Sequence, residues 1–589
     1  MADQAPISVP SEALNELLQA AIHAQGLTAS PQLRRSKQPE HGDYQANVAM
    51  AVAKEVGADP RKLADDIISA IPDNDLIAHA EAAPPGFINI SLSDSYLQKL
   101  AASLLDDPRG GSKQVSQPLR TVIDYSAPNV AKEMHVGHLR STVIGDALAK
   151  LLEFQGHEVI RQNHLGDWGT QFGMLLEQLD REHGEHETAP TGITDFARLR
   201  DLYQAAKQNY DADPEFAECA RQQVVCLQAG DPATTARWQQ MIEITLAHAE
   251  EIYRRLDVSL TTADVKGESA YNQQLAEVVQ QLQAAKVACV NEGAVGIFSE
   301  DVPPLLIQKS DGGYLYGTTD LAALRYRTQE LEADKIIYVT DSRQRDHFKA
   351  VFSAGEEIGW LRPGQAVHVA FGMVLDQQGR PFKTRDGQVV PLEYLLDRVQ
   401  AAAKENLSER VGAENLSEQP NIESEQIEET SQKISIGAIK YADLSLTRQR
   451  DYKFDVEQML SFHGDTGPYI QYADVRAQAV IRKAAEQGVS TSLQPVNFSF
   501  SERGERELLL KIGQFPEVVK LAADGLQPHL ICHYLHETAN VFTSFYEQCP
   551  ILQASDLDQT HSRLALTQLT HQTLALGMGL LGISSIERM

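Results

Sequence analysis

Apolar residues in this chain recur at two different spacings, and the switches between them mark out its units. Over Ser11 to Gln25 they fall every three or four residues, which predicts a helix. Pro60 opens a second helix with Leu63, Ile67 and Ile68 on one face. Gly86-Phe87-Ile88-Asn89-Ile90 alternates instead, as a strand does. With the linker-like Gly110-Gly111-Ser112-Lys113, this predicts a small α+β unit over 1–112. From Thr121 the pattern becomes strand, then helix. Thr121 to Tyr125, Glu158 to Ile160, Lys335 to Val339 and Ala366 to Leu375 read as strands. Helices are expected after Gly137, with Ile144, Leu148, Leu151 and Leu152 in phase, and over Arg345 to Ile358. Such alternation predicts an α/β, doubly wound Rossmann-type parallel sheet over 113–400. The stretch from about 180 to 310 separates its halves and reads as a helical insertion. Residues 401–433, rich in Glu, Ser, Asn and Gln, are expected as a solvated helix or a loop. Over 434–589 the period is helical again. Leu508, Leu509, Ile512 and Phe515 share one face, and Leu530, Tyr534, Ala539 and Phe542 another, so this is an all-α unit.

Composition narrows the setting. The 589 residues are 42% hydrophobic and 23% charged, ordinary for a soluble globular protein of roughly three or four domains. No apolar run is long and clean enough to span a bilayer, so no membrane association is expected. Met1 to Pro10 lacks the basic-then-apolar order of a signal peptide. The five cysteines form no CxxC pair, which argues against a metal site and a disulfide framework and for a reducing cytoplasm. The net charge of −29 argues against a nucleic-acid partner. Binding needs only a local basic face, however. Arg34-Arg35-Ser36-Lys37 and Arg448 with Arg450 and Lys453 are candidates, though each alone is better read as solvated surface.

The densest chemistry lies at Ser126-Ala127-Pro128-Asn129-Val130-Ala131-Lys132-Glu133-Met134-His135-Val136-Gly137-His138, between a predicted strand and a predicted helix. A helix start presents free N–H groups and a positive dipole end to an anion. Gly137 lets a nucleotide approach closely, and two histidines one turn apart can donate to phosphate oxygens. Alone, such a pair is better read as helix caps or metal ligands. In this setting it resembles the HIGH signature of class I aminoacyl-tRNA synthetases, and the form Ser-x-Pro-Asn-x-Ala-Lys-x-x-His-x-Gly-His resembles the arginyl-tRNA synthetase version. The run Asn163 to Gly173, with Gly166, Asp167, Trp168 and Gln171, strengthens the resemblance.

The resemblance implies an ATP-dependent arginine–tRNA ligase. Its fold would be a Rossmann-type catalytic domain with a helical insertion, an N-terminal added domain contacting the outer corner of tRNA, and a C-terminal all-α anticodon-binding domain. Partners implied are tRNA-Arg, L-arginine and ATP with Mg2+, acting on a monomer, with tRNA bound before arginine is activated. A guanidinium demands acceptors in planar, forked geometry. The resemblance puts Asp124, Tyr316 and Asp320 around that end, and Asn129, His135 and Gln344 around the α-amino and carboxylate end. Gly137, His138, Gly166, Asp167, Met373 and Thr384 would bind ATP. His135, His138, Lys132, Lys383 and Arg385 would handle phosphate charge. The Gly379 to Gly387 loop departs from the family's usual KMSKS pattern, with Thr384 where a lysine is common, which shifts weight to Lys132. Tyr44, Gln45 and Asn47 near the N-terminus, and Tyr469 and Arg476 in the helical unit, would face tRNA. The alternatives left open are a class I synthetase for another amino acid and a catalytically inactive tRNA-binding relative.

Overall fold

The computed structural model describes residues 9–36, 38–183, 193–299, 302–382, 390–414, 424–489, 496–554 and 556–589. The first unit runs α1 (Pro10–Ala24), β1 (Leu33–Arg35), β2 (Tyr44–Ala46), α2 (Val48–Val56), α3 (Pro60–Ser69), β3 (Ile77–Ala83), β4 (Phe87–Leu92) and α4 (Asp94–Asp106). Pro10 and Pro60 sit in first turns, where a missing N–H costs nothing. The strands form an antiparallel sheet in the order β1-β2-β4-β3. The stretch 110–113, expected as a linker, is packed at its centre. Ser112 is buried, and Gly111 turns left-handed against Leu104 and Pro516.

The central unit begins with β5 (Arg120–Asp124), α5 (Val136–Phe154) and β6 (Glu158–Gln162). The insertion follows as α6 (Thr170–His183), α7 (Phe196–Ala212), α8 (Pro214–Gln228), α9 (Pro232–Arg255) and α10 (Leu275–Ala284). It is not helical throughout, because β7 (Cys289–Asn291), β8 (Ala294–Ile297) and β9 (Leu305–Gln308) form a small antiparallel sheet. Then come α11 (Tyr316–Gln329), β10 (Lys335–Tyr338), α12 (Arg345–Ile358) and β11 (Ala366–His368). The main sheet is parallel, in the order β11-β10-β5-β6. From β5 the chain crosses by α5 to β6 on one side, and from β10 by α12 to β11 on the other. The order reverses between β5 and β10, and a crevice opens at their carboxyl ends, where Asp124 lies in register with Tyr338. Gly145 in α5 faces Tyr125 so closely that a Cβ would lie 2.3 Å from the ring.

The single strand expected over Ala366 to Leu375 is two. β11 ends at His368, and β12 (Val374–Leu375) pairs with β13 (Tyr452–Lys453) in another sheet. The physical reason is local. The Gly372 N–H donates to the Arg448 carbonyl at 2.9 Å and the Met373 N–H to Asp451 at 2.6 Å, drawing the backbone away from β10.

The rest is α13 (Leu392–Glu414), α14 (Ser424–Leu444), β13, α15 (Val456–Met459), α16 (Gly467–Glu486), α17 (Arg503–Ile512), α18 (Phe515–Asp524), α19 (His529–Gln548) and α20 (Leu557–Leu580). Helices α13 and α14 pack together, so the acidic stretch is helical on both flanks, with Ala403, Leu407 and Ser431 buried. One apolar core joins α5 to α13, α14, α18 and α20, and a second joins the N-terminal sheet to α16, α17, α19 and α20. Two charged contacts cross these joints. Arg140 of α5, fully buried, meets Asp443 of α14 at 3.1 Å and donates to the carbonyls of Gly372 at 2.7 Å and Arg450 at 3.0 Å. Arg506 of α17 donates to Asp43 at 2.6 Å, Asp94 at 2.7 Å and the Leu92 carbonyl at 2.6 Å.

Candidate active site

The crevice floor is the loop from Tyr125 to His135. Ser126, Ala127 and Ala131 all carry positive φ, a strained choice for side-chain-bearing residues. The surroundings hold it. Ser126 N–H donates to Ser141 at 2.9 Å, Ala127 N–H to Asn163 at 3.0 Å and Ala131 N–H to Thr245 at 3.2 Å. Asn129 bridges to Gly166, where a Cβ would come within 2.5 Å of its Oδ1; only glycine permits that approach.

His135 caps α5 and stacks on His138, with ring centroids 3.9 Å apart. Nδ1 of His135 accepts from Gly137 N–H at 3.1 Å, and Nδ1 of His138 accepts from His135 N–H at 3.0 Å. Each neutral ring therefore keeps its proton on Nε2, free to donate outward. Burial, then Lys132 and Arg343, lowers the His135 pKa, and burial with His135 and Lys132 brings His138 to about 3. The pair is thus two neutral donors at a helix start whose own first N–H groups are already taken, Gly137 N–H by His135 Nδ1 and Val136 N–H by the Val390 carbonyl. Lys132 lies over the Tyr203 ring at 5.4 Å. Past the Gly379–Phe382 turn the chain returns to the same place. Leu392 N–H donates to the Met134 carbonyl at 2.8 Å, and Val136 N–H to the Val390 carbonyl at 3.4 Å. Lys383, Thr384 and Arg385 lie outside the described residues.

At the β10 side, Asp320 of α11 accepts from His347 of α12 at 2.6 Å, and the His347 ring packs 4.8 Å from Tyr316, which is 66% exposed. Gln344 ends a short 3-10 turn held by Asp341 and is exposed. Asp124 is buried and already paired with Arg327 at 2.8 Å; Arg327 also donates to Gln162 at 2.8 Å and lies over the Tyr338 ring at 5.0 Å. On one side of the crevice Asn129 bridges to Gly166 and His135 stacks on His138; on the other Tyr316 and Asp320 meet at His347; Asp124 ends β5, and Met373 N–H is spent on Asp451.

Two assignments need correction. Asp167 is not offered to a nucleotide: its buried carboxylate accepts from Ser269 N–H at 2.8 Å and Ser269 hydroxyl at 2.6 Å, clamping the insertion's return. Tyr44 is not a tRNA contact surface but core, 3% exposed, because β2 points Tyr44 and Ala46 inward and Gln45 outward. Gln45 donates to Asn89 at 2.9 Å, and Asn47 leaves its Oδ1 buried and unpartnered. In the helical unit, Tyr469 donates to Asn540 at 2.6 Å, and Arg476 lies over both Tyr472 and Tyr546, at 4.9 and 5.2 Å. Sequence reasoning missed Arg327, His347 and Glu268. His347 is near Gln344 in sequence, and Gly267-Glu268-Ser269 is a glycine-marked turn whose carboxylate was the available signal.

Residues 11–92 match the family described as arginyl tRNA synthetase N terminal domain, residues 99–456 the family tRNA synthetases class I (R), catalytic domain, and residues 470–589 the DALR anticodon binding domain. The chain is 44% identical over 579 residues to an arginine–tRNA ligase of Alteromonas mediterranea, covering 97% of this chain and 98% of that one. It is 45% identical over 591 residues to that of Saccharophagus degradans, covering 98% and 99%. The solved arginyl-tRNA synthetase of Plasmodium falciparum superposes with a TM-score of 0.82 at 29% identity, over all of both chains. That of Thermus thermophilus shares the fold, with a TM-score of 0.79 at 24% identity over 98% of this chain and all of that one.

Proposed function

The chain belongs to the class I arginyl-tRNA synthetases and is an arginine–tRNA ligase, and from that premise we propose how its crevice divides the work. A synthetase for another amino acid and an inactive relative are thereby set aside. The arginine carboxylate attacks the α-phosphorus of ATP, a P–O bond forms as the bond to pyrophosphate breaks, and arginyl-adenylate results. The terminal adenosine of tRNA-Arg then attacks the arginyl carbonyl through its 2′-hydroxyl, and AMP leaves. Positioning and charge stabilisation supply most of the rate. His135 and His138 donate from Nε2 to phosphate oxygens as charge builds there, and Lys132 adds a cation beside them. Asp320, with Tyr316 and the Asp124–Arg327 pair behind it, receives the guanidinium, while Asn129, His135 and Gln344 orient the other end.

A site built for a forked cation rejects lysine by roughly four or five decades where a mismatched substrate leaves its acceptors unpaired. We take Mg2+ to arrive on the phosphates of ATP, as part of the substrate. Arg476 with Tyr472 and Tyr546 offers a cationic, aromatic platform suited to splayed tRNA bases. Among the described residues no helix is long and apolar enough to cross a membrane. A cytoplasmic monomer is the arrangement we propose.

The observation that carries this reading is the pair of neutral His135–His138 donors on the helix that follows β5, with Asp124 at the end of β5 and Asp320 of α11 held by His347 of the helix that follows β10. Asp320→Ala is expected to abolish arginine-dependent ATP–pyrophosphate exchange in the presence of tRNA. Exchange retained with an unchanged arginine KM would overturn the guanidinium assignment.

A further inference from the structure

The loop that leads into the tetrad is fastened to the insertion. Val130 and Ala131 share a buried apolar core with Leu199 and Leu202 of α7. The Ala131 N–H donates to Thr245 of α9 at 3.2 Å, and Glu133 accepts from Arg200 of α7 at 3.0 Å. Lys132 stands between these two held neighbours. Its Nζ lies over the ring of Tyr203, one turn of α7 beyond Arg200, at 5.4 Å. Among the described residues no carboxylate is paired with Lys132. Burial is the main reason that His135 and His138 stay neutral, and the Lys132 charge adds to it at both rings. The ammonium therefore acts on the tetrad while a side chain of the insertion holds it.

We propose that Tyr203 is a positioning residue for arginine activation, its ring holding the Lys132 ammonium beside the tetrad for the phosphate oxygens of ATP. The inference rests on the reading of Lys132 as a phosphate-side cation. A carboxylate partner would fix the lysine but spend its charge before ATP arrives. An aromatic face attracts an ammonium through the ring quadrupole and leaves the charge unneutralised. It also leaves N–H donors over, since an ammonium carries three. The restraint matters because a lysine stem is long and flexible, and fixing it in one place costs more rotamer freedom than for most side chains. Tyr203 also has packing of its own. It is half-buried, against the cluster of Phe172 and Leu199 on one side and that of Phe216 and Ala206 on the other. A useful variant therefore keeps the bulk and changes the face.

The test is ATP–pyrophosphate exchange by the full chain with arginine and tRNA-Arg, each variant assayed well below its melting temperature. Lys132→Met is expected to lose about two decades in kcat. Tyr203→Leu keeps apolar bulk and removes the ring face; it should lower kcat about 3- to 30-fold and leave the arginine KM unchanged. Tyr203→Phe removes only the hydroxyl and should stay within about twofold of the parent protein. In a Lys132→Met background Tyr203→Leu should cost nothing further, because the ring then has no ammonium to hold. If Lys132→Met slows exchange while Tyr203→Leu does not, the inference about Tyr203 fails alone. If Lys132→Met leaves kcat intact, the phosphate-side reading of Lys132 fails and the inference falls with it. A Tyr203→Leu change as harmful in the Lys132→Met background as in the parent, or a Tyr203→Phe change as harmful as Tyr203→Leu, marks a tyrosine that serves the packing of α7 and overturns the inference as well.

Discussion

At the scale of single residues, the two tetrad histidines do their work by staying neutral. His138 is held to about 3 by burial, then by His135 and Lys132. Below its ordinary value of roughly 6.5 the unfolded chain binds a proton there that the folded one refuses. Stability from this residue is therefore complete above that pH and drains away as pH falls, by about 1.4 kcal/mol at one unit below. His138→Ala should show a shallower fall in denaturant midpoint between about pH 7 and about pH 5.5. It should also lose about two to three decades in kcat for arginine activation. A loss below tenfold would remove His138 from the phosphate side. The tetrad was legible because its parts are contiguous and sit where a strand period gives way to a helix period. Glu268, Arg327 and His347 were not, because each arrives from a different element, and singly each reads as a solvated charge. Tyr44 misled for the opposite reason. A motif resemblance was followed where strand alternation already pointed the ring inward.

Between elements, Arg140 ties α5 to α14 and to the bend that ends β11. Both side chains are fully buried, and one guanidinium nitrogen and one carboxylate oxygen find no further hydrogen bond. Removing one partner leaves a naked charge, so Asp443→Leu is expected to cost about 3–5 kcal/mol in urea unfolding. Arg140→Met combined with Asp443→Leu should recover much of that loss. A double variant no more stable than the single one would show that the carbonyls of Gly372 and Arg450, not the ion pair, dominate. Long periodic elements such as α12 and β10 were readable end to end. The split of the 366–375 stretch was not, since it depends on Arg448 and Asp451, which the chain supplies much later. Strands β7 to β9 were missed because each is only three or four residues long, too short for alternation to register.

For the whole molecule, the succession of an α+β unit, a parallel-sheet unit and a helical unit followed from the periods alone. Which faces cover one another did not, because periodicity identifies an apolar face and leaves its partner unnamed. The covering crosses every boundary: the N-terminal sheet shares its core with α16, α17, α19 and α20, pinned by Arg506 on Asp43 and Asp94. Arg506→Met should cost about 2–3 kcal/mol, below a fully buried pair because Arg506 is partly exposed. Limited proteolysis should then cut faster between residues 107 and 118, with the arginine KM unchanged. An unaltered digestion pattern would show the apolar core holding the units together by itself. That same contact sets a timetable. Asp43 and Arg506 stand 463 residues apart, and at roughly 5–20 residues per second a ribosome needs on the order of a minute to supply the second after the first. For that interval Leu97, Leu100 and their neighbours are a finished surface without a lid, and the newborn chain must be kept from finding another one.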